Sequence, residues 1–171
     1  MAKTNITVIS LLKKPKQEFA KVLADKLEMC YVDTDDLMDF ENISMKEILD
    51  TLGPKYYNKI EEKTIETVAT YENSVITTGT GSIFATNNLE VVKKHSLVLY
   101  LQINFKVYKK YKNVDATEIN KAKLIMDEMV FAERDKLYCS SADIVVDASS
   151  LKTKKVLKKA IKAIKKYYAK K

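Results

Sequence analysis

The strongest constraint in this sequence is an alternation of two hydrophobic patterns. Short apolar segments, mostly rich in Val, Ile or Leu, occupy Asn5–Leu11, Met29–Asp33, Ser74–Thr78, Leu97–Gln102 and Ile144–Asp147. Helical stretches fill the intervals: Lys16–Leu27, Met45–Leu52, Lys55–Tyr71, Asn88–Lys94, Phe105–Lys112, Glu118–Glu133 and Leu151–Ala169. Ser44 followed by Glu47 fits a capping box, and Gly53-Pro54 marks a helix stop. Strands that alternate with helices imply a parallel sheet covered on both faces. The expected fold is therefore α/β, three α/β/α layers around a five-stranded parallel sheet, with residues 1–171 forming one domain.

Composition bounds the partners. At 171 residues and 46% hydrophobic, the chain can bury a sizeable core, and no apolar run reaches bilayer length. With two cysteines far apart, Cys30 and Cys139, a disulfide framework is not expected. The N-terminal residues do not resemble a signal peptide. These features lead us to expect a cytoplasmic protein without a membrane role. The net charge of +7 is concentrated: residues 152–171 hold ten lysines and no acid, leaving 20 basic and 23 acidic residues elsewhere, a net of −3. Val156, Leu157, Ala160, Ile161 and Ile164 recur at helical spacing in that segment, so the basic stretch at 151–169 reads as a docked final helix with a solvated lysine face. Nucleic-acid binding is not expected, whereas a protein partner or self-association stays open.

Ligands of such sheets sit beyond the carboxyl ends of the strands. Three of those ends carry polar or glycine punctuation: LLKKPK after the first strand, DTDD after the second and TGTGS after the third. The first has the layout of a phosphate-binding loop, strand–turn–helix with a lysine, but without glycine. Only three glycines occur, Gly53, Gly79 and Gly81, and Arg134 is the one arginine among thirty basic residues.

The order of these segments resembles the shikimate kinase family of P-loop small-molecule kinases. The likeness runs through FAKVLADKLEMCYVDTDDLM, SMKEILDTLGPKYYNKIEEKTIETV, SVITTGTGSIF, LVLYLQ and FAERDKLYCSSADIVVDAS, nearly the whole chain. On the donor side, a P-loop requires G-x-x-x-x-G-K-[ST], because backbone N–H groups wrap the phosphates without Cβ obstruction. Here those positions are Ser10, Pro15, Lys16 and Gln17, and only the lysine matches. Pro15 has no N–H and cannot adopt positive φ, and is expected at the first helical position. Lys13, Lys14 and Lys16 are left as the groups that would attract a nucleotide. On the acceptor side, the resemblance implies that Asp33 assists a metal ion and that Asp35 holds substrate hydroxyls. It places Gly79, Thr80 and Gly81 against the substrate and gives Arg134 a substrate carboxylate to grip. The family arginine after Gly53 corresponds to Asn58, and the lid, about residues 109–120, contains no arginine.

Donor-side departures outnumber acceptor-side ones. The expected function is accordingly a shikimate-kinase-like protein with a degenerate ATP site, non-catalytic or strongly impaired, which keeps a pocket for a small polar or carboxylate ligand. No cofactor is expected on this reading. Two alternatives stand beside it: an active ATP-dependent kinase with Lys16 and Asp33 catalytic and Mg-ATP as donor, and an interaction module that uses the basic C-terminal helix.

Overall fold

The computed structural model describes residues 3–39, 45–84, 87–111, 121–150 and 152–170. Five strands, β1 (Asn5–Ile9), β2 (Cys30–Asp33), β3 (Ser74–Thr77), β4 (Ser96–Gln102) and β5 (Ile144–Asp147), form one sheet in the order β2-β3-β1-β4-β5. Every pairing is parallel. The strands at the centre are buried throughout, β1 along its whole length and β4 up to Leu101. This is why they read as continuous apolar runs and not as alternating ones. The register sets Asp33 opposite Thr77 and Val8 opposite Thr77, so the carboxyl ends of β2, β3 and β1 lie level.

The helices are α1 (Lys13–Leu27), α2 (Thr34–Asp39), α3 (Met45–Ala69), α4 (Asn88–His95), α5 (Phe105–Tyr111), α6 (Lys121–Ser141) and α7 (Thr153–Tyr168). α1 buries Phe19, Ala20, Leu23 and Ala24, one stripe at helical spacing. It ends with Glu28 in the left-handed region at φ 55°, whose N–H returns to Ala24 and Asp25. Within α3 the helical path breaks at Gly53, φ 77°, just before Pro54, where the sequence signalled a stop. α7 buries Val156, Leu157, Ala160 and Ile164, with Ile161 half-buried, and its lysines face outward. Among the described residues no helix is long and apolar enough to cross a membrane.

Several boundaries differ from expectation. α1 begins at Lys13, three residues before the expected Lys16, so Pro15 is third in the helix. The first turn needs no intrahelical N–H donors, and proline is tolerated there. α6 continues to Ser141, because Tyr138 and Ser141 carry the buried face begun at Phe131 beyond Glu133. α2, at DTDD, and a 3₁₀ turn at Ser82–Phe84 were not anticipated. Of the expected lid, residues 109–111 belong to α5 and 112–120 lie outside the described residues, as does Ser44 of the expected capping box.

Candidate functional site

The turn between β1 and α1 is only Ser10–Leu12. The Ser10 hydroxyl donates to the Leu101 carbonyl at 2.9 Å, while Leu11 and Leu12 are 6% and 5% exposed and belong to the main core cluster. Among the described residues, positive φ occurs at Glu28, Gly53, Asn73 and Gly81, none of them in this turn. The chain thus passes directly from strand to helix and forms no concave row of N–H groups. Lys16 is 2% exposed and its ammonium donates to the Thr78 carbonyl at the end of β3. Burial pulls its pKa from 10.5 to about 8, against the opposing pull of the Asp35 and Asp33 carboxylates.

Asp33 closes β2 with its carboxylate already occupied. Oδ2 accepts from Gln17 Nε2 at 2.7 Å and from the Tyr31 hydroxyl at 2.9 Å, and Oδ1 accepts from the Asp35 N–H at 2.9 Å. Burial raises its pKa, but these donors together with the Thr77 hydroxyl outweigh burial and hold the carboxyl below its usual range. Burial also raises the Tyr31 phenol, whose hydroxyl lies 3.2 Å from Thr77 Oγ1. Gln17, at the position where a P-loop carries the metal-binding hydroxyl, is thus spent on Asp33. A metal ion at Asp33 would have to displace one of these donors.

Asp35, two residues on in α2, faces the TGTG turn. A Cβ on Gly79 would come within 3.2 Å of Asp35 Oδ1, 3.2 Å of Glu61 Oε1 and 3.3 Å of Ser82 Oγ, tighter than most Cβ contacts, so a side chain here would push these groups back by a few tenths of an ångström. Gly81 has φ 108°, a conformation that L side chains rarely adopt. Asp35 Oδ2 pairs with Lys13 at 2.7 Å. Glu61 is 5% exposed, and burial followed by the charge of Asp35 raises its pKa from 4.5 to about 7. Lys13, Asp35, Tyr57, Glu61, Gly79 and Thr80 line a cavity of about 260 Å³. A second cavity of about 230 Å³ adjoins it on the donor side and shares Lys13 and Thr80. The larger space of about 470 Å³ between α2 and α3 is lined by Leu37, Tyr56, Ile60 and Thr64 among others. None of the polar residues singled out from sequence lines it, and the smaller cavity is the candidate site.

α6 is fixed to the sheet by polar contacts. The Tyr100 hydroxyl donates to Asp135 at 2.7 Å, and the Gly81 N–H donates to the Tyr138 hydroxyl at 3.1 Å. Burial raises the Tyr138 phenol, and the Gly81 N–H and the nearby charge of Arg134 moderate that rise. Arg134 itself is exposed and does not line the 260 Å³ cavity. Of the residues singled out from sequence, Lys13, Asp35, Gly79 and Thr80 therefore gather around one cavity. Lys16 and Asp33 have their polar atoms engaged, Gly81 bonds to the Tyr138 hydroxyl that also feels the charge of Arg134, and Lys14 lines the donor-side space.

Glu61, Tyr57, Tyr31 and Thr77 were missed. Glu61 had a readable signal, because an acid stands on the stripe that also carries the buried Ile65 and Val68. Tyr31 and Thr77 had none, since their meeting depends on strand register.

A family model described as shikimate kinase matches residues 15–165. The shikimate kinase of Sulfurihydrogenibium sp. (strain YO3AOP1) is 28% identical over 163 residues, covering 94% of this chain and 98% of that relative. The solved shikimate kinase of Bacteroides thetaiotaomicron has a TM-score of 0.80 at 16% identity, covering 96% of this chain and 99% of that one. The enzyme from Acinetobacter baumannii in complex with shikimate has a TM-score of 0.78 at 18% identity, covering 96% and 94%. At such identities the structural likeness concerns the fold. The sequence relatives overturn the expectation that no cofactor is used: they are kinases, whose phosphoryl donor is Mg-ATP.

Proposed function

This chain belongs to the shikimate kinase family, and from that premise we propose a protein that keeps the acceptor pocket for a small hydroxylated carboxylate and whose phosphoryl transfer from Mg-ATP is strongly impaired. One observation carries the reading: the β1–α1 turn runs straight into α1 with Leu11 and Leu12 in the core. Phosphoryl transfer depends on positioning and on donors aimed at the phosphates. The turn does not fit a triphosphate in that sense. Pro15 contributes no N–H, the Lys16 ammonium is bound to Thr78, and Gln17 is bound to Asp33. The acceptor half differs. Asp35 can accept from a ligand hydroxyl beside the bare backbone of Gly79, with Tyr57 and Thr80 closing the walls.

Full kinase activity remains the second reading, favoured by the retention of Lys16 close enough to Asp33 and Asp35 for both charges to act on its ammonium. Two measurements separate the readings: calorimetric titration with shikimate, and ADP release with Mg-ATP and shikimate. Shikimate binding that weakens at least tenfold in Asp35→Asn, with turnover far below about 1 s⁻¹, the lower end of ordinary enzymes, is expected. Turnover above that rate sinks the impaired reading. Failure of shikimate to bind sinks the pocket.

A further inference from the structure

By sequence position Lys13 belongs with the lysines that would attract donor phosphates. In the fold its ammonium is on the acceptor side, 2.7 Å from Asp35 Oδ2. The cause is the early start of α1. Its first helical residue stands at the carboxyl end of the sheet and projects a long side chain towards α2. The second oxygen of Asp35 has little room either, since Oδ1 faces the Gly79 backbone beside Glu61 Oε1. The side chain of Asp35 is 16% exposed and that of Lys13 55%, so the acid lies inside and the cation covers it from the solvent side.

We propose that Lys13 is a built-in competitor for the acceptor pocket: it holds the Asp35 carboxylate that a ligand hydroxyl would take, so a polyol gains Asp35 only by displacing the ammonium. The proposal rests on the reading of this cavity as the acceptor site. A displaced ammonium has a place to go, because Lys13 also lines the donor-side cavity with Lys14, Pro15 and Thr80. Lys13 thereby sets specificity. A hydroxy acid offers the displaced ammonium a new anionic partner, whereas a neutral polyol breaks the ion pair without replacing it.

The test uses the full chain, its Lys13→Met and Lys13→Arg variants, and two probes, shikimate and its methyl ester. The ester carries the same ring hydroxyls without the carboxylate, so its binding isolates competition for Asp35 from attraction between charges. Lys13→Met is expected to bind methyl shikimate about two- to fivefold more tightly than the unmodified chain, the range for removing a partly exposed ion pair. Lys13→Arg, which keeps the pair, retains the original affinity. Equal or weaker binding of the ester by Lys13→Met, while shikimate still binds, overturns the competitor role and leaves the acceptor reading standing. If no form binds either probe, the acceptor reading itself fails and the competitor role falls with it.

Discussion

The two halves of the candidate site treat their polar groups in different ways. On the donor side, protein groups satisfy one another. Ser10 bonds to Leu101, Lys16 to Thr78 and Gln17 to Asp33, and two leucines fill the core where a phosphate loop would bulge. On the acceptor side, charge is covered more loosely. Glu61 and Asp35 crowd the Gly79 backbone, and one partly exposed lysine is the cation on Asp35 that faces the cavity. Polar groups that satisfy one another favour the fold, whereas carboxyl groups crowded beside a cavity are costly and are relieved by a ligand that donates to them. On the proposed reading, this difference is what separates an impaired donor side from an acceptor pocket open to a ligand.

The largest test of this contrast replaces the donor turn. Ser10→Gly, Pro15→Gly and Gln17→Thr together return the glycines and hydroxyl of the phosphate-binding pattern. Turnover with Mg-ATP and shikimate is expected to rise by about a hundredfold or more, the scale of restoring one set of aimed donors. Failure to rise while shikimate still binds would place the defect outside the turn.

A smaller effect tests the strain on the acceptor side. The Glu61 pKa is about 7 when folded against 4.5 unfolded, so the folded chain binds more protons between those values and loses stability as pH rises through them. The cost is fully present above pH 7. Glu61→Gln is expected to stabilise the chain by about 2 kcal/mol at pH 8, less than the full shift implies because the amide is also desolvated, and by nothing below pH 4.5. Urea unfolding across that range measures it. A gain independent of pH would remove Glu61 from the account.

Lys16 should give the smallest net change. Its folded pKa, about 8, lies below the ordinary 10.5, so the unfolded chain binds more protons between those values and stability rises with pH across them. Lys16→Met removes a buried charge and also the charge-assisted bond to Thr78, which offsets much of the gain. The variant is expected to be about 1 kcal/mol more stable than the unmodified chain at pH 7, with the sign reversing towards pH 10. A variant already destabilised at pH 7 would show that the Thr78 bond outweighs burial.

What the sequence determined by itself was the frame. Alternating patterns place four strands to within one residue at each end, while β1 stops at Ile9, two residues early, and the apolar stripe of α7 appears where its spacing put it. Such signals are local, since each residue's side is set by its own helix or strand period. Asp33, Asp35, Gly79 and Gly81 were likewise visible because they punctuate strand ends, where ligands of parallel sheets gather. Only the tertiary structure decided who partners whom. The extension of α1 back to Lys13, the Lys13–Asp35 pair, the capture of Lys16 by Thr78 and the burial of Glu61 join residues tens of positions apart. These depend on strand register and helix start to within one residue, and a charge on a long side chain has no periodicity from which its partner could be read.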